Sequence, residues 1–141
     1  MSEPRHDPRE LFGEVIHTYA RTQAIEDGVL VDISEMAREA GFVWPVAMTA
    51  AAWEDCVAWS EKDSRRQTYQ DETGRLWDVV WMAGRAVKTA DRSGGQACLF
   101  HLCRVPRGGH GMGPRLATLK VLAGSGDEGE PVITILLPHE D

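Results

Sequence analysis

Asp91–Gln96 divides the chain into two styles of sequence, because everything after Ser93-Gly94-Gly95 alternates or runs apolar at strand length. Three strands are predicted beyond it: Ala97 to Val105, Arg115 to Leu122, and Pro131 to Leu137. The two connections, Pro106–Pro114 and Gly124–Glu130, are glycine-rich and short enough for an antiparallel meander, whereas parallel neighbours need a long crossover. The last strand is apolar on both faces, which suits the centre of a sheet or a subunit interface.

Ahead of the divide the punctuation is helical. Glu14 to Ala20 is rich in strand formers and is read as a strand. Thr22 is expected to cap a short helix over Gln23–Asp27, with Gly28 as its left-handed stop. Val29–Val31 then reads as a buried strand. Asp32 followed by Glu35 has the capping-box pattern and opens a helix through Ala40 that Gly41 ends. Phe42 to Met48 is extended, since Trp44 precedes Pro45. Thr49 caps a helix that turns Trp53, Val57 and Trp59 inward and Glu54, Asp55 and Glu61 outward. Asp63–Thr73 reads as an exposed connection. Gly74 precedes a helix, Arg75–Thr89, that is apolar nearly all round and belongs at the centre of the fold. The Trp77 and Trp81 pair within it is expected to be core.

The fold class is therefore α+β: a single domain over residues 11–141, helices packed on a mostly antiparallel sheet, preceded by a loose polar terminus, Met1–Glu10. At 141 residues with 43% hydrophobic content, one core is expected. No run approaches the roughly 18 apolar residues of a membrane span, and no secretory signal is recognised, so the expected location is the cytoplasm, with no membrane partner. Cys56, Cys98 and Cys103 fit reduced thiols.

Charge is unevenly spread. Ala97 to Ala123 carries Arg104, Arg107, Arg115 and Lys120 and no acid, so this segment is +4 in a molecule of −7 and the remainder is −11. Segregation of this kind predicts two faces. Arg104, Arg107, His110 and Arg115 around the glycine-rich loop form a candidate anion site, because guanidinium forks match phosphate oxygens. Glu54, Asp55, Glu61 and Asp63 form a candidate surface for a protein partner with a basic surface, such as one with a nucleic-acid-binding channel. The net acidity disfavours direct nonspecific binding to nucleic acid. If the protein is an enzyme, the catalytic candidates are His17, Glu128 and Glu130, with NAD or another nucleotide as ligand. Cys98-x-x-His101-x-Cys103 lacks the four convergent ligands of a closed zinc site, so no metal is expected. There is no Gly-x-Ser-x-Gly or Walker loop, and binding is preferred to catalysis, with no cofactor. A third reading is an accessory protein that acts as a homo-oligomer.

Glu14–Asp32 and Gly126–Asp141, with Ala51–Cys56 and Gly74–Ala83 between them, resemble a family of small uncharacterised proteins carried by bacterial plasmids, integrated elements and phages. The resemblance implies a context: an acidic accessory protein of mobile DNA, similar in kind to anti-CRISPR and anti-restriction proteins. A looser resemblance is to ADP-ribosyltransferase folds, whose first strand offers a histidine to the dinucleotide, as His17 would, and whose Glu-x-Glu is similar to Glu128-Gly129-Glu130.

Overall fold

The computed structural model describes residues 20–89, 97–109 and 113–140. The predicted strand around His17 lies outside them, as does His110. In chain order the elements are α1 (Arg21–Glu26), β1 (Leu30–Asp32), α2 (Ser34–Glu39), β2 (Val46–Thr49), α3 (Ala50–Cys56), α4 (Glu61–Arg66), α5 (Glu72–Thr89), β3 (Ala97–Arg104), β4 (Arg115–Ser125) and β5 (Pro131–Leu136). The five strands form one sheet in the order β1-β2-β5-β4-β3. β3, β4 and β5 are the expected antiparallel meander, with Arg104 opposite Arg115 and Ser125 opposite Pro131. β2 then joins β5 in parallel, Val46 opposite Ile133, and β1 pairs antiparallel on β2. This makes β5 the central strand, which accounts for its apolar character on both faces without a subunit interface.

Strand alternation directs Phe100, Leu102, Leu119, Val121, Ile133 and Ile135 to one face, where they meet Val57, Val79, Val80 and Ala83 from the helices. Thr134, between Ile133 and Ile135, points to the other face and receives the Arg21 guanidinium of α1. The sheet thus has helices on both sides.

Several local expectations change. α1 begins at Arg21, and its N-cap Ala20 has no side-chain cap. Its acceptor comes from Asp127, which takes the Arg21 and Thr22 N–H groups at 2.6 and 3.1 Å. Gly28 and Gly41 hold φ of 80° and 106°, the left-handed conformation that makes them helix stops. Val29 is exposed and the strand begins at Leu30, half-buried because β1 is an edge. Asp32 accepts from the Ser34 N–H, two residues on, and α2 has Ile33 at its N-cap. The helix capped by Thr49 ends at Cys56, and Val57, Ala58 and Trp59 form a buried turn.

The expected connection after it is instead α4, opened by a reciprocal box in which Ser60 and Asp63 exchange hydrogen bonds. α5 starts at Glu72, so Gly74 lies inside its first turn, and the helix is central on one face only. Trp77 is half-buried and packs against the core, whereas Trp81 is 46% exposed and stacks on it with ring centroids 5.9 Å apart, so only one of the pair joins the core.

Candidate functional site

The hairpin between β3 and β4 meets α3, α4 and α5 through three arginines. Arg104 follows Phe100 and Leu102 on the core face of β3, so its guanidinium enters the interior. It donates to the carbonyls of Cys56, Arg75 and Cys103 at 2.9 to 3.1 Å and to Asp78 Oδ2 at 2.7 Å. Arg75 is buried outright, 2% exposed. Its Nε donates to the Val57 carbonyl, its Nη1 to Gln70 Oε1 and the Val105 carbonyl, and its guanidinium lies 4.6 Å from the Trp59 ring centroid. Burial, and then the neighbouring charge of Arg104, pull its pKa down to about 10, so it remains cationic at neutral pH. The same burial pushes the Cys56 thiol up to about 11, reinforced by Asp55, and leaves it inert as a nucleophile.

Arg107 reaches back from the loop. Its Nε donates to Asp63 Oδ2 at 2.7 Å and its Nη1 to Glu54 Oε1 at 3.1 Å. Gln67 completes the clasp, donating to the Pro106 carbonyl and accepting from the Gly108 N–H. Asp63 is held below the ordinary carboxylate value, first by the Ser60 N–H and then by Arg107. Arg107 is raised by that same hydrogen bond. A cavity of about 320 Å³ gathers Arg104, Arg107 and Arg115 with Glu54 and Asp55. Arg115 is exposed at its mouth.

The two expected faces meet at Arg107. Arg107 and the Glu54 and Asp63 carboxylates neutralise each other, and Arg104 pairs with Asp78, because a guanidinium held against carboxylates gains from charge-assisted hydrogen bonds. Glu61 stays outside the cluster, in an exposed contact of 3.9 Å with Arg65.

The β4–β5 turn lies elsewhere. Glu128 donates its N–H to Glu130 Oε1, while Asp127 takes the Thr22 hydroxyl at 2.8 Å in addition to the two amides of α1. These bonds, Thr22 N–H first, hold Asp127 below its ordinary value. Arg21, its pKa lowered chiefly by burial, faces Asp32, Asp127 and Glu130. From Ala20 to Ala40 and from Ser125 to Pro131 there are eight carboxylates and two arginines. Of these, Asp32, Asp127 and Glu130 converge with Arg21 on one cleft, the acidic pole of the described fold. It is separated from Arg115 by the length of β4, about 33 Å at the usual strand rise. Glu128 and Glu130 therefore do not share a site with Arg107 and Arg115.

Arg75, Asp78, Gln67 and Arg21 escape sequence reasoning. Arg75 had a usable signal, since it precedes Val79 and Ala83 at four-residue spacing on the buried stripe of α5. Among the described residues no group of His, Cys, Asp and Glu converges on a metal position, and no helix is long and apolar enough to cross a membrane.

A model of a family of unknown function, DUF6573, matches residues 11–141. The chain belongs to that family. No curated protein and no solved structure gives a significant match. Family membership covers both the hairpin cluster and the acidic pole and assigns a role to neither.

Proposed function

We propose that this protein works by binding rather than by catalysis, as a small acidic accessory protein of mobile genetic elements that antagonises host defence in the cytoplasm. The acidic pole formed by α1, β1, α2 and the β4–β5 turn is the docking face, and its partner is a protein with a basic surface, such as a nucleic-acid-binding complex of CRISPR or restriction type. One observation carries the reading: Asp32, Asp127 and Glu130 gather around a single arginine, Arg21, at this pole, whereas Glu54 of α3 and Asp63 of α4 are engaged by Arg107. Excess charge of one sign steers encounter with the opposite sign and raises the association rate. The separation of Glu128 and Glu130 from the hairpin arginines weighs against the ADP-ribosyltransferase-like alternative.

Capture from the lysate of a host with an intact defence system tests the proposal. The tagged chain is expected to retain a nucleic-acid-binding defence component that rising salt releases, and the Glu128→Lys, Glu130→Lys double variant is expected to lose it. Absence of a stable complex, or a complex indifferent to the substitutions, overturns the reading. Isothermal titration with NAD and related nucleotides is the counter-test, since heat at millimolar ligand would favour an enzyme or a nucleotide-binding sponge built on Arg107 and Arg115.

A further inference from the structure

β3 is the terminal strand of the sheet, eight residues long, and no strand among the described residues pairs with its outer edge. Natural edge strands are usually blunted by shortness, proline or exposed charge. β1, at the opposite edge, has three residues and ends on exposed Asp32. β3 has neither device. Ala97 to Cys103 is free of charge and proline, and the charge of Arg104 is turned inward to Asp78. On the face away from α5, Leu99 and Leu116 are 57% and 70% exposed.

We propose that β3 is a dimerisation edge on which a second copy of this chain pairs antiparallel. The choice of occupant follows from charge. Copies of a −7 protein repel, but Ala97–Cys103 is uncharged and the flanking Arg104, Arg107 and Lys120 are engaged within the fold, so this edge is where two copies approach with least repulsion. A two-fold pairing is self-complementary. Centred on His101, it sets each copy's Leu99 opposite the partner's Cys103, joining two neutral apolar strips while both acidic poles stay free.

Sedimentation of the full chain in reducing buffer reads the outcome directly. The expected mass is twice that of the 15.6 kDa protomer. Leu99→Lys is expected to weaken dimerisation at least about tenfold by placing like charges near the axis. Should that variant lose its circular-dichroism signature, Cys103→Lys replaces it. The Glu128→Lys, Glu130→Lys variant keeps the dimer while losing the defence partner, which separates this proposal from the previous one. A monomeric wild type overturns it, and a monomer whose β3 amides resist hydrogen exchange assigns the edge to another occupant. A dimer that survives both lysine variants also overturns it.

Discussion

Arg104 is a surface residue type placed in the core, and four oxygens from β3, α3 and α5 satisfy it. Arg104→Met removes the donor from the buried carbonyl of Cys56, which then has to be desolvated without it, and the second donor from that of Arg75, which keeps its helical partner. Hydrogen bonds to a buried charge are worth roughly 1.5 to 3 kcal/mol, and breaking such a cluster costs about 3 kcal/mol here, discounted because Asp78 faces water. A large fall in the urea midpoint is expected. Arg115→Ala, at an exposed position opposite it in the ladder, should change stability by no more than about 0.5 kcal/mol. Equal effects would show that Arg104 has no special structural role. The two arginines are indistinguishable by type and share a face of the ladder; what separates them is that Arg104 lies against Cys56, Arg75 and Asp78, whereas Arg115 is exposed at the end of its strand.

At the scale of elements, α4 shows how tertiary contacts hold a segment with almost no apolar face. Ser60 and Asp63 carry a capping-box signature that is present in the sequence. Without apolar anchors after it, the signature reads as exposed loop. What holds the helix is the hairpin, through Gln67 and Arg107, at sequence separations of 39 to 44 residues. Gln67→Ala should therefore cost about 1 to 2 kcal/mol and loosen both elements together. Hydrogen exchange would report it as faster exchange in α4 and in Pro106–Gly109. Exchange confined to α4 would mean that the hairpin is held independently. Thr49, by contrast, was legible: its hydroxyl accepts the Ala52 N–H at 3.1 Å, as a threonine before a helix implies. The Gly28 and Gly41 stops and the Thr49 cap act within a few residues and survive into the fold, whereas the caps expected from Thr22 and Asp32 do not. The Trp77 and Trp81 spacing was equally local, yet which face of α5 meets the sheet is a packing outcome.

At the scale of the whole molecule, acid sensitivity is set at two distant sites. Asp63 and Asp127 both titrate below the ordinary 3.8 in the folded protein. Groups with depressed folded pKa values contribute stability that is complete above the unfolded carboxylate range and is lost as pH falls through the folded values. The thermal midpoint should fall below about pH 4, and Asp63→Asn combined with Asp127→Asn should lower it at neutral pH while flattening that decline. Tryptophan fluorescence melts across this range would decide the matter. Parallel declines in wild type and variant would place the acid sensitivity in other carboxylates.

By itself, the sequence determined the α+β class, the C-terminal meander, the glycine-ended helices and the membership of one family, because these depend on alternation, caps and turns that act over short spans. Only the tertiary structure decided that β2 enters beside β5, that Arg75 and Arg104 belong to the core, and that Arg107 closes on Glu54 and Asp63. The reason is physical: a charge has its sign in the sequence, but its effect depends on what desolvates it and which opposite charge packing brings within reach.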